Sequence, residues 1–203
     1  MKKSIVMLLA IATVMSCNKK ESTTVNESGD SMEMTTPTDS TPVTSDSAST
    51  STTSSAAVSL NDQDKKFVDA AAKGGMMEVM AGELAVQNAT NATVKTLAEM
   101  MVKDHTKAND ELKQWASANS YTLPSAVDAD QQKKYDELKA KKGTEFDKVY
   151  ADMMVNDHKK TIADFKKESA EGSETSLKAF ASKTIPALEH HLMESEKAKK
   201  AVK

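Results

Sequence analysis

No arginine occurs in the 203 residues, although lysine is abundant. Bidentate recognition of phosphate and of guanine leans on the guanidinium group, so the chain is read as having no nucleic-acid partner. Cysteine is almost as scarce. The single one, Cys17, excludes an internal disulfide framework. Aromatic residues make up 4%, with only six glycines and four prolines. Few helix breakers, together with common Ala, Lys, Glu, Met and Leu, favour an all-helical domain. Also missing are a glycine-rich phosphate loop after a strand, a serine nucleophile elbow and an HExxH zinc motif. The neighbouring pair His190-His191 is not such a motif. The reading is therefore of a binding or structural protein in preference to an enzyme.

What is there begins with an address. Lys2 and Lys3 precede an apolar run from Ile5 to Val14. At about ten residues, it is too short to span a bilayer core of ~30 Å. Val14-Met15-Ser16-Cys17 then follows. A small residue directly before a cysteine, closing a short apolar run, resembles the lipobox of bacterial lipoproteins. That resemblance implies a signal peptide over 1–16 and a lipid-modified Cys17 that anchors the protein to a membrane of the cell envelope.

Residues 17–58 are Ser, Thr, Asp and Pro with almost no large apolar side chain. Such a segment buries too little surface to offset its conformational entropy, so a disordered stalk is expected. A flexible coil of that length has a root-mean-square span of roughly 35 Å. Three strings in it, Asp30-Ser31-Met32, Asp39-Ser40-Thr41 and Asp46-Ser47-Ala48, resemble acceptors of a general O-glycosylation system of some Gram-negative bacteria. They place candidate glycans on Ser31, Ser40 and Ser47. The rival reading is chance, because these residue types dominate the segment.

Residues 59–203 form the domain. Ser59 with Asp62 has capping-box spacing and opens a long helix to about Asn88, with Phe67, Ala71, Gly75, Val79, Gly82 and Val86 near one face. Gly74-Gly75 inside it is costly unless a neighbouring helix approaches closely. Asn91 caps a second long helix, whose stripe is Val94, Leu97, Ala98, Met101, His105, Ala108, Leu112 and Trp115. It ends before Leu123-Pro124. Ser125 with Asp128 starts a short helix that Gly143 stops. Thr144 with Asp147 starts a third long helix, carrying Tyr150, Met154, His158, Ile162 and Phe165. Ser173 starts a fourth, with Leu177, Phe180, Ala181, Thr184, Leu188, His191 and Ser195, and Pro186 is expected to kink it. The pattern predicts an all-α, ferritin-like four-helix bundle. The short helix between the second and third long ones carries the chain back, so those two run parallel.

Phe67-Val68-Asp69-Ala70-Ala71, Gly74-Gly75-Met76, Glu83-Leu84-Ala85, Met101-Val102-Lys103-Asp104-His105 and Ile185-Pro186-Ala187-Leu188-Glu189-His190-His191-Leu192 occur in this order. Together they resemble a bacterial family of unknown function, over roughly Asp62 to Ala198. The resemblance implies a ferritin-like bundle in an exported protein, of the outer membrane in preference to the inner. It implies no activity.

One segment occurs twice. Ala98-Glu99-Met100-Met101-Val102-Lys103-Asp104-His105 returns as Ala151-Asp152-Met153-Met154-Val155-Asn156-Asp157-His158. On two parallel helices that begin level, His105 and His158 share a layer, and Glu78 falls in it too. His191 counts to about five residues, or ~8 Å, off that depth, near enough to bound one side. Met101 and Met154 lie one turn before their histidines. Ferritin-type di-iron sites use Glu-x-x-His, but Val102 and Val155 stand where those glutamates would be. Imidazole with thioether suits copper(I) better. Two readings stay open. Each histidine sits at the core margin, bonded to Glu78, Glu83 or a carbonyl, in a binding or structural module. Alternatively, Glu78, His105, His158, His191, Met101 and Met154 hold copper or iron in a metal-binding or oxidative-stress protein. Rings more than ~8 Å apart would exclude a shared ion bonded at ~2 Å.

Overall fold

The computed structural model describes residues 59–203. The leader 1–16, Cys17, the stalk 17–58 and Ser31, Ser40 and Ser47 lie outside the described residues. Five helices follow in order: α1 (Asp62–Asn88), α2 (Ala92–Ala118), α3 (Ala129–Lys139), α4 (Gly143–Glu171) and α5 (Thr175–Ala201). No strand occurs among the described residues. No helix among them is long and apolar enough to cross a membrane.

Hydrogen bonds at the two ends fix the topology. At one end, Asp147 near the start of α4 accepts from the backbone N–H groups of Thr90 (3.0 Å) and Asn91 (2.9 Å), at the start of α2. The Asn91 side chain also donates to the carbonyl of Ala201, at the end of α5 (3.2 Å). At the other end, Asp64 near the start of α1 accepts from the backbone N–H of Ser173, ahead of α5 (2.8 Å). There too, the Trp115 indole near the end of α2 donates to Ser176 Oγ (2.8 Å). Helices α2 and α4 thus begin level and run parallel, antiparallel to α1 and α5. This is the ferritin-like arrangement, with α3 carrying the chain back between α2 and α4.

Asn91 caps α2, accepting from Thr93 N–H at 2.8 Å. The other caps differ from expectation. The capping box of α1 is Asn61 with Asp64, two residues on from the expected start, and that of α3 is Asp128 with Gln131, three residues on. The first residue of each expected pair stays outside the helix because a better-placed Asx side chain follows it. α3 ends at Lys139, and Gly143, with φ +56°, begins α4 instead of closing α3. Asp147 does not cap α4 through Thr144, because its carboxylate is committed across the bundle to Thr90 and Asn91. Glu174, not Ser173, caps α5, since Ser173 is taken by Asp64. α5 runs unbroken through Pro186.

The stripes expected on α2, α4 and α5 are largely the buried ones. On α1 the buried face is wider than expected. It includes Val68, Ala72, Met77, Ala81 and Ala85 with Phe67, Gly75 and Gly82, while Ala71, Val79 and Val86 are only half-buried. A helix that packs on two neighbours needs such a wide apolar face. A Cβ on Gly82 would come within 2.8 Å of Val102 and 3.3 Å of the Ala98 carbonyl, so α1 and α2 touch almost backbone to backbone there.

The apolar core is in two pieces. One holds Met77, Ala81, Leu97, Met101, Leu138, Phe146, Tyr150 and Met154. The other holds Phe67, Val68, Leu112, Ile162, Phe165, Leu177, Ala181 and Leu188. Between them, one residue from each long helix interrupts the core: Glu78, His105, His158 and His191, all buried.

Candidate metal centre

Four polar side chains buried in mid-bundle carry a desolvation cost that packing alone does not require. Their arrangement is a closed triangle of imidazoles. Ring centres lie 5.6 Å apart for His105–His158, 5.1 Å for His105–His191 and 5.3 Å for His158–His191, inside the limit for a shared ion. One nitrogen from each ring can be chosen so that all three lie within 4.8 Å of one another.

The outward nitrogen of each ring is held. His158 Nδ1 lies 2.9 Å from the Met154 carbonyl, which only accepts, so Nδ1 carries the proton. His191 Nε2 donates to the Asp104 carboxylate (3.0 Å). His105 Nδ1 donates to Glu78 Oε2 (3.0 Å). Burial pushes the His105 pKa down to about 3 and lowers those of His158 and His191. The rings are therefore neutral at pH 7, and each has a single N–H, already engaged. His105 Nε2, His158 Nε2 and His191 Nδ1 turn bare lone pairs toward one another. His158 Nε2 and His191 Nδ1 stand 3.4 Å apart, and with these tautomers no proton lies between them. His105 Nε2 is buried with no partner.

Glu78 is the hinge of this layer. Its Oε1 lies 3.5 Å from His158 Nδ1 and is buried without a hydrogen bond. Burial raises its pKa to about 7, against the pull of His158.

His191 lies in the layer, not ~8 Å from it. α5 starts two residues later than expected, a shift of ~3 Å. In addition, side chains lean toward the N-terminus of their own helix, so rings on the antiparallel α4 and α5 lean toward each other. Met101 and Met154 are buried one turn away, in the first core cluster. Glu83 is exposed and outside the layer. Asp104, which holds His191, is not among the six residues expected at the site. It precedes His105 and so points ~100° away from it, toward the neighbouring helix α5. Asp157, its counterpart in the repeat, pairs instead with Lys134 at 3.4 Å.

Three neutral imidazole nitrogens, each ring oriented from behind by a carboxylate or carbonyl, are what a transition-metal ion asks of its ligands and of the groups behind them. The inward groups are nitrogens and not carboxylates, so a carboxylate-bridged di-iron centre does not fit.

Residues 49–198 match the family described as "Domain of unknown function (DUF4142)". The chain belongs to this family. The DUF4142 chain matches no curated protein by sequence. Among solved structures it is similar to a DUF305 fragment from Deinococcus radiodurans, with a TM-score of 0.62 at 9% identity, covering 70% of this chain and 99% of that one. It is also similar to CopM in its Cu(I)-bound form, with a TM-score of 0.57 at 15% identity over 68% of this chain and 95% of that one. The Ag-bound form of CopM obtained by co-crystallisation gives 0.56 at 17% over the same shares. At these identities the likeness is one of fold.

Proposed function

We propose that this DUF4142 domain binds one transition-metal ion, copper by preference, through His105 Nε2, His158 Nε2 and His191 Nδ1. In this proposal it does so at the cell envelope, anchored by a lipid on Cys17. The observation that carries the reading is the commitment of all three ring N–H groups outward, which leaves three unprotonated nitrogens converging in the buried centre of the bundle. Without a cation that arrangement sets lone pairs against one another. With a cation it supplies most of a coordination shell, and modest movement brings the nitrogens to the ~3.3–3.5 Å separations that bonds of ~2.0 Å require. This ordering reverses the one drawn from sequence, where a plain binding or structural module came first. The likeness in fold to a protein solved with copper and with silver supports the choice of metal, as does the place of Cu(II) at the top of the affinity order of divalent ions for a given nitrogen site.

The test is metal analysis of the full chain purified from its native envelope, beside a His105→Ala/His158→Ala double variant shown to fold by circular dichroism. The expected result is one copper per wild-type chain and none in the variant. Equal metal in both would sink the site. The anchor is tested separately. Cys17→Ser should move the protein from the membrane to the soluble fraction, and retention in the membrane would refute lipidation.

A further inference from the structure

A cavity borders the polar layer on the side of His105 and Glu78. It measures about 520 Å³ and has both residues among its lining, with Gly74, Gly75 and Asn109 along one wall and Lys134 of α3 at its exposed rim. Each of the two also carries a buried atom without a partner, His105 Nε2 and Glu78 Oε1.

The glycine pair supplies a second, independent observation. Gly75 is explained by packing, because a Cβ there would stand 2.0 Å from Asn109 Oδ1. Gly74 is not, since a Cβ there would meet nothing within 4 Å. A mid-helix glycine costs ~1 kcal/mol relative to alanine, and no close neighbour demands this one. Its lack of a side chain serves instead to keep the cavity clear.

Resting on the metal reading above, we propose that the triad is an open site, and that the cavity beside α1 brings a small exogenous ligand to the metal's remaining position. The ligand class is water, hydroxide or a small anion. Closed structural sites use four protein donors, whereas three protein donors leave a place for such a ligand. Among the described His, Cys, Asp and Glu residues, the three histidines form the one group with metal-ligand spacing.

Azide is the probe, added to the full chain loaded with Cu(II) after its copper content has been measured. The expected result is a saturable azide-to-copper charge-transfer band in the wild type. That band should be lost in the His105→Ala/His158→Ala variant and weakened at least tenfold in azide affinity in Gly74→Phe, which fills the cavity but keeps its copper. Gly74→Leu replaces it if the phenylalanine variant does not fold. Loaded wild type with no azide band would overturn the open site while leaving the metal site standing. A band that survives in the double variant, or unchanged affinity in a folded, loaded plug variant, would overturn it as well. Failure of the wild type to load copper would overturn the metal reading, and this proposal with it.

Discussion

Replacing Glu78 with glutamine should stabilise the metal-free protein at high pH and weaken the metal site. Glutamine keeps the shape and an oxygen to accept from His105 Nδ1, but removes the charge. Burial raises the Glu78 pKa from 4.5 to about 7. Between those values the folded chain holds a proton that the unfolded chain has released. The stability this contributes is therefore complete below pH 4.5 and is lost as pH rises through 7. About two and a half pH units at ~1.4 kcal/mol each come to about 3 kcal/mol. In chelator at pH 9, Glu78→Gln should exceed wild type by about that amount in urea unfolding followed by circular dichroism, and the two should nearly coincide at pH 5. A bound cation reverses the order, because the ionised carboxylate then faces an imidazole made electron-poor by the metal. Loss of such a supporting group typically costs 10–100-fold in metal affinity, readable by competition with a copper chelator. A variant less stable than wild type at pH 9 without metal, or one with unchanged copper affinity, would refute the reasoning.

Acid should act through the histidines. Their folded pKa values are depressed, so as pH falls below ~6.5 the unfolded chain takes up protons that the folded chain refuses. Stability present above that value is then lost toward the His105 pKa of about 3. Glu78 runs the other way between 4.5 and 7 and offsets about one histidine, so the urea midpoint in chelator should still fall between pH 6 and 4. Asp147→Ala removes the acceptor for Thr90 and Asn91 and should cost about 2–3 kcal/mol in urea unfolding. Gly74→Ala and Gly82→Ala should diverge in thermal unfolding. The first gains about 1 kcal/mol of helix propensity in open space. The second loses about 1–2 kcal/mol net, as overpacking against Val102 and Ala98 outweighs that gain.

The long helices were legible because apolar spacing reports directly on which side of a helix is buried. The doubled segment ending in His105 and His158 was legible for a related reason, since parallel helices that start level put equal residue counts at equal depth. Caps were harder to read. Ser59, Asn61, Asp62, Ser125 and Asp128 all offer a side-chain oxygen near a helix start, and tertiary demand decides which is used. Asp147 shows this most clearly, with cap spacing to Thr144 and a partner on a loop 56 residues away. His191 was misplaced in depth because residue counting ignores the lean of side chains. Asp104 points away from His105 toward solvent or a neighbour by helix geometry, and counting could not show that the neighbour is His191, on another helix 87 residues on.

The two end carboxylates have one more consequence. Asp64, in the hairpin α1–α2, finishes the turn of the hairpin α4–α5, and Asp147 in the second finishes the turn of the first. Each half thus carries the clasp that the other lacks, and the histidine triangle draws its corners from both. Neither half is a complete folding unit. A chain severed between α2 and α3 should therefore reassemble from its two fragments, and copper supplied to the mixture should tighten that association.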